Sequence, residues 1–252
     1  ITGIIESGVL TLILSGKTSR YNREVLVQLR DAFQDTLTQT IVALKEVPET
    51  SKTPVDFTFK GMTVDELNTL EAPELVEDVY KLSPLQEGMY FHWLANPNSA
   101  YYFQQFGYRI KVPGGSLEDI QKSFDYVVAR HAVLRTEFTN DIAGELLQIV
   151  RKEASEDQFF ITELPSTIAQ EQFILNLKQE DREKGFDLSV GSQMRLTVVP
   201  LGNESYEFVW SCHHILMDGW CIGILVKEFY QKLYALISGS NLKAESAPKY
   251  SD

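Results

Sequence analysis

The sequence predicts an α/β sandwich: a mixed, largely antiparallel sheet with helices packed over it. Two observations carry this reading. From Tyr80 onward, stretches with two-residue alternation interchange with stretches whose apolar residues recur every three to four positions. At 252 residues and 44% hydrophobic content, the chain is also long and apolar enough to bury a sizeable core.

Residues 9–15 read as a strand, and Val25, Leu29, Phe33, Leu37, Ile41 and Leu44 mark one face of a long helix. Two elements are too few to close a core. From Pro48 the composition turns to Pro, Thr, Ser, Lys and Glu, which predicts a linker over 48–75. Within it, Thr63-Val64-Asp65-Glu66 is a capping box that opens a short helix to Leu70. Gly114-Gly115 precede a helix capped by Ser116 and Asp119, with Leu117, Ile120, Phe124, Val127 and Val128 as its apolar stripe. Leu134 to Phe138 and Leu146 to Val150 form a hairpin candidate around an Asn140-Asp141 turn. A helix follows from about Ile168 to Asp181, with Phe173, Ile174 and Leu177 inward. Met194, Leu196 and Val198 alternate as a strand, and Gly202-Asn203 turns it back into Tyr206 to Ser211. Ile222, Leu225, Phe229 and Leu233 give a closing helix. No internal repeat is visible.

Thirty-five acidic residues against 23 basic ones leave a net charge of −12, and no basic run or basic helix face appears. A nucleic-acid partner is therefore not expected. Cys212 and Cys221 are too few for a disulfide framework and lack metal-ligand spacing, which predicts a reducing, cytoplasmic setting and no bound metal. No run of eighteen apolar residues exists, and the start Ile1-Thr2-Gly3 has no basic n-region. Neither membrane span nor signal peptide is expected. The start also lacks an initiator Met, which predicts a piece excised from a longer polypeptide.

One cluster looks like chemistry. His213-His214-Ile215-Leu216-Met217-Asp218-Gly219 follows the strand-like 206–211 segment, placing two imidazoles where a strand ends and a loop begins. An imidazole with a reference pKa near 6.5 exchanges protons at cytoplasmic pH. The HxxxDG pattern alone is shared by several acyltransferases. Two further segments stand upstream: Leu82-Ser83-Pro84-Leu85-Gln86-Glu87-Gly88-Met89-Tyr90-Phe91-His92 and Arg130-His131-Ala132-Val133-Leu134-Arg135-Thr136-Glu137-Phe138.

Together the three ordered segments resemble the condensation domains of nonribosomal peptide synthetases, which have a chloramphenicol-acetyltransferase-like fold. The resemblance implies that 76–252 is the amino-terminal lobe of such a domain, with the second lobe absent. The opening segment, with Thr53-Pro54-Val55-Asp56-Phe57, resembles the end of an epimerization domain, so 1–47 is expected to be the carboxyl-terminal remnant of a preceding epimerization or condensation domain; the other reading is that its strand and helix belong to the same domain as the rest.

What the resemblance implies for the site is specific. His214, the second His, faces the centre where an acceptor amine attacks a donor thioester, as a base or as a positioning and charge-stabilising group. His213 points to the opposite strand face and is structural. Asp218 is structural and pairs with an arginine, with Arg130 and Arg135 the candidates in this chain. Gly219 is either a turn glycine or the donor of an N–H to the developing oxyanion. Arg130, His131 and Arg135 brace the catalytic loop; an anion site is the other reading. Ser83 has no Gly-x-Ser-x-Gly elbow to make it a nucleophile. Ser83, Gln86, Tyr90 and Trp220 line or support the channel. Cys212 lies two positions before His214 and reads as a small apolar residue rather than a nucleophile.

The implied reaction is peptide-bond formation between substrates carried on the phosphopantetheine arms of donor and acceptor peptidyl carrier domains. The domain itself would bind no cofactor directly, adenylation and epimerization domains would be its neighbours, and the isolated fragment would be inactive. The Ser-Pro-Leu-Gln-Glu-Gly-Met form of the first motif implies a donor of D configuration. Two rivals stand beside this: a CoA-dependent acyltransferase of the same fold, and a non-catalytic docking module.

Overall fold

The computed structural model describes residues 2–17, 19–46, 52–97, 99–240, 242 and 247. The chain divides into two compact units, 1–51 and 52–252.

In the first unit, β1 (Thr2–Glu6) and β2 (Val9–Ile13) pair antiparallel, from Thr2↔Ile13 to Glu6↔Val9. Ser7 and Gly8 join them with φ of 50° and 79°, the two-residue turn whose twist matches that of the strands. The helix α1 (Arg23–Glu46) begins where Asn22 Oδ1 accepts the Val25 N–H at 3.0 Å. The strand and long helix read from periodicity are present, with one more strand, and no residue of the three elements is buried.

The second unit opens on the stretch read as a linker. A Thr53/Asp56 capping box starts a single 3₁₀ turn, and the predicted Thr63/Glu66 box starts α2 (Val64–Leu67). Then follow β3 (Val76–Lys81), α3 (Pro84–Ala95), β4 (Phe103–Lys111), α4 (Leu117–Arg130), β5 (Thr136–Ile142), β6 (Glu145–Arg151), β7 (Phe159–Ile161), α5 (Gln170–Lys184), β8 (Met194–Gly202), β9 (Ser205–His213) and α6 (Gly219–Ile237). From Lys52 on, the linker stretch belongs to this unit. Phe57, Met62 and Leu67 are buried in one cluster with Val76, Val79, Ile142, Leu147 and Ile149. Composition missed this because three apolar anchors five residues apart in polar chain make no helix or strand period.

The strands form two sheets, ordered β3-β6-β5 and β4-β9-β8-β7. All neighbours are antiparallel except β7 and β8. The β5–β6 hairpin turns at Ala143-Gly144, with φ of 54° and 63°, and not at Asn140-Asp141. Those two residues lie inside β5, and pairing runs on to Ile142↔Glu145. The β8–β9 hairpin turns at Asn203-Glu204, one residue beyond the predicted pair.

Alternation along β9 separates two faces. Phe208, Trp210 and Cys212 join the main core, where the Trp210 ring lies 5.9 Å from Phe124 of α4 and 5.3 Å from Phe229 of α6. On the other face, Glu207 meets Lys178 at 3.3 Å and Ser211 bonds Asp181, both on α5. Arg195 of β8 clamps that helix end, its Nη1 and Nη2 donating to the Gly185 and Asp181 carbonyls at 2.8 Å. The four-stranded sheet is thus covered by helices on both faces, the sandwich that the alternating segments predict.

Candidate active site

The register sets where the two histidines fall. Phe103 pairs with His213, the last residue of β9, so His214 is the first residue beyond the sheet. Its N–H still donates to the Tyr102 carbonyl at 2.8 Å, which tethers the start of the loop to the chain entering β4. His214 Nδ1 lies 2.6 Å from the Met217 carbonyl oxygen. A carbonyl only accepts, so Nδ1 carries a proton, and in the neutral ring the lone pair is on Nε2.

His213 faces the other way and is 4% exposed. Its Nδ1 accepts the Ile215 N–H at 3.1 Å, so it serves the loop backbone. Burial, and after it the neighbouring His214, pushes its pKa down to about 4, which keeps it neutral at physiological pH. Cys212 is buried, and burial pushes its thiol up to about 12, so it supplies no thiolate for a Cys-His pair.

Asp218 does not pair with an arginine among the described residues. It is the N-cap of α6, with Oδ1 accepting the Trp220 and Cys221 N–H groups at 3.0 Å each. These bonds, with a smaller contribution from His214, hold its carboxyl below the usual range. The sequence reading missed this because an Asp before a Gly looks like a loop, whereas here the helix begins at that Gly. The two arginines have other partners. Arg130 Nε donates to Glu228 Oε2 at 3.0 Å, and His131 Nε2 lies 2.7 Å from the same oxygen. Arg135, 7% exposed, donates to Glu77 Oε2 at 2.9 Å and to the Val128 carbonyl at 3.2 Å, and also reaches the Arg151 carbonyl.

A cavity of about 650 Å³ opens between the start of α3, the end of α4, the 214–218 loop and the first half of α6. Leu85, Met89, Val133, Leu216 and Leu225 give it apolar walls. His214, Asp218 and Ser83 face it, and the Arg130–Glu228–His131 cluster stands in its wall. The three sequence motifs therefore meet at one site. A family model described as a condensation domain matches residues 76–252.

The chain belongs to the condensation-domain family.

This condensation-domain chain is similar to bacitracin synthase 1 of Bacillus licheniformis, 31% identical over 252 residues that cover 98% of the chain and 5% of that protein. It is also similar to surfactin synthase subunit 3 of Bacillus subtilis (strain 168), 37% identical over 167 residues covering 64% of the chain and 13% of that protein. The chain thus spans about 5–13% of the length of these curated relatives. Among solved structures, the starter condensation domain of rhizomide synthetase aligns with a TM-score of 0.59 and 17% identity, over 68% of this chain and 43% of that one. The epimerization domain from the third module of tyrocidine synthetase B aligns with a TM-score of 0.57 and 19% identity, over 69% and 39%. At these identities the likeness shows the fold, which is chloramphenicol-acetyltransferase-like.

Not every predicted residue of the condensation-domain site lines the cavity. Gly219 and Trp220 are the first two residues of α6, outside its walls, and Trp220 is 87% exposed. Gly219 has open space where a Cβ would stand, and its N–H is the first-turn amide that Asp218 does not take. Tyr90 is 2% exposed, and burial first, then Asp141 and Asp187, pushes its hydroxyl up to about 12. It supports the core and not the cavity wall. Ser83 is the N-cap of α3, its hydroxyl held by Gln86 Oε1 at 3.0 Å. Two residues escaped sequence reading. Glu228 recurs with Cys221 and Leu225 on one face of α6, and Gln148 is a polar residue at 0% exposure in the apolar run of β6; each break in an apolar pattern was the available signal.

Among the described residues, no group of three or more His, Cys, Asp or Glu is placed to hold a metal ion. No described helix is long and apolar enough to cross a membrane.

Proposed function

We propose that residues 76–252 are the amino-terminal lobe of a condensation domain that forms a peptide bond between a donor thioester and an acceptor amine, both delivered on phosphopantetheine arms of peptidyl carrier domains. The observation that carries this reading is the His214 tautomer: with Nδ1 engaged by Met217, Nε2 holds a lone pair on a ring that lines the cavity. An α-amine has a pKa near 8, so part of it is neutral at physiological pH and the base need only take charge off the nitrogen as the bond forms. The nitrogen forms the new C–N bond and the C–S bond breaks. His214 Nε2 takes the proton lost by nitrogen and returns it to the departing sulfur, so a thiol leaves. A general base of this kind supplies about 10²–10⁴-fold, and holding amine and thioester together supplies more, up to about 7–11 kcal/mol.

In this reading His213 and Asp218 shape the loop and the start of α6, and Arg130 and Arg135 brace the end of α4. Ser83 and Gln86 support the cavity from α3. Gly219 opens α6 directly after the Asp218 cap, outside the cavity wall, which fits its reading as the turn glycine rather than as an oxyanion donor. Residues 1–47 are the tail of a preceding domain, and of the 48–75 stretch the part from Lys52 on belongs to the second unit. In support, the match to bacitracin synthase 1 runs through both units without being confined to the lobe. The donor is of D configuration, and adenylation and epimerization domains are the neighbours.

The test compares this chain with a longer polypeptide carrying both lobes, each mixed with donor-loaded and acceptor-loaded carrier proteins, with D and L donors in parallel. Peptide product from the longer polypeptide alone, with the D donor preferred, supports the proposal. Product from this chain alone overturns its incompleteness. Consumption of a CoA thioester in place of the carrier-bound donor favours the acyltransferase, and carrier binding without turnover by either favours the docking module.

A further inference from the structure

We propose that Gln148 is a positioning residue for His214, acting through Gln86; this rests on His214 being the group that works on the amine. Gln148 lies on β6 and Gln86 in the first turn of α3, and both are buried, at 0% and 6% exposure. Their carboxamides pair reciprocally: Gln86 Nε2 donates to Gln148 Oε1 at 3.1 Å, and Gln148 Nε2 donates to Gln86 Oε1 at 2.9 Å. The second hydrogen of each amide goes to backbone. Gln148 Nε2 reaches the Lys81 carbonyl at 3.3 Å, and Gln86 Nε2 reaches the Ile215 carbonyl at 3.0 Å.

Ile215 is the residue after His214, and its N–H is held by His213 Nδ1 at 3.1 Å. Both backbone groups of Ile215 are therefore held, its N–H by His213 and its carbonyl by Gln86, which fixes the peptides on either side of it. An amide can present its N–H to Ile215 only in one of two flip states. Two partners select that state: the Ser83 N–H and hydroxyl each donate to Gln86 Oε1 at 3.0 Å, and Gln148 offers an oxygen to Gln86 Nε2 and a hydrogen to Gln86 Oε1, its own orientation set by the Lys81 carbonyl. The chain of contacts runs from the β3–α3 junction, through two side chains, to the turn that places the His214 ring against Met217. Pairing of this kind in a water-poor interior holds geometry firmly because each unmet group is costly.

The experiment replaces Gln148 with Met, which keeps the approximate length and removes both donors and the acceptor. It reads three quantities in the two-lobed polypeptide: Tm, the ¹⁵N pattern of the His214 ring by NMR, and the kcat and KM of peptide formation with carrier-bound substrates. The proposal expects His214 to lose its single Nδ1–H pattern, and kcat to fall about 10- to 100-fold with KM little changed, as small misplacements of a reacting group do. Gln148→Glu, which keeps an acceptor but when ionised cannot donate to Gln86 Oε1, should fall between Met and the native residue. Gln86→Met, which severs the Ile215 bond directly, should give the same His214 pattern, and the double variant should lose little more than either single one, as members of one unit do. If Gln148→Met fails to fold, the Gln86→Met and Gln148→Glu arms decide. A fall in Tm with an unchanged His214 pattern and unchanged kcat would overturn the proposal. The NMR arm does not depend on turnover, so a normal His214 response to these variants alongside an activity that ignores His214 itself would sink the functional reading and leave the positioning intact.

Discussion

Nδ1 of His214 lies 2.6 Å from the carbonyl oxygen of Met217, three residues further along the same loop. The loop thus fixes the tautomer of its own histidine without a second side chain, unlike a triad in which a carboxylate does so. The neutral ring should show Nδ1 protonated and Nε2 bare in a long-range ¹H–¹⁵N spectrum. A mixture of tautomers in the folded protein would show that the loop does not hold the ring.

His213 makes stability depend on pH. Its pKa is about 4 in the folded chain and near 6.5 when unfolded, because burial disfavours the charged ring. Between these values the unfolded chain binds more protons than the folded one, so its contribution is complete above pH 6.5 and is lost as pH falls toward 4. The loss is on the order of 3 kcal/mol. Urea unfolding across this window should show stability rising with pH, and His213→Asn should flatten that rise. Equal slopes in the two proteins would contradict the assignment.

Asp218 and Arg135 should separate in stability although both stand in the motifs. Asp218→Ala removes a helix N-cap at an exposed site, and Tm should fall by roughly 2–4 °C; Asp218→Asn, which can still cap, should recover most of it. Arg135→Ala removes a buried guanidinium that ties the end of α4 to the partly exposed Glu77, at a cost of about 1.5–3 kcal/mol. Calorimetry giving the larger loss for Asp218→Ala would place the buried ion pair at the wrong residue.

The two cysteines should differ in reactivity. Cys221 is exposed and lines the cavity, whereas Cys212 is buried with its thiol pushed up to about 12. A maleimide should label Cys221 in the folded protein and reach Cys212 only after denaturation, as peptide mass spectrometry would show. Bulk at Cys221 narrows the cavity, so labelling of this residue in the two-lobed polypeptide should block peptide formation, and Cys221→Ser there should be insensitive to the reagent. Rapid labelling of Cys212 in the folded protein would contradict its burial.

Much of this was legible in the sequence where one residue pattern met one physical cause. The Ser116/Asp119 box and the Ile120, Phe124, Val127 and Val128 stripe predicted α4, and the structure has both. The histidine motif was readable because β9 alternates up to it. The rest depends on contacts between distant segments. Nothing local to Arg135 says that it reaches Glu77, 58 residues away, whereas the Asp218 cap, made to residues 220 and 221, was a local signal that the expectation of an arginine partner overrode. Gln86 and Gln148, 62 residues apart, look like two unrelated polar side chains until β6 and α3 are placed side by side. The Asn140-Asp141 turn failed for a different reason: turn-forming residues are tolerated inside β5, and the backbone turns where Ala143 and Gly144 take positive φ.

The most direct measurement is single-turnover peptide formation by the two-lobed polypeptide with carrier-bound donor and acceptor, comparing the native protein with His214→Ala and checking that both are equally folded. With His214 Nε2 accepting the proton of the attacking amine, the variant should be about 10²- to 10⁴-fold slower at saturating carriers. An equal rate in the two proteins would contradict the account.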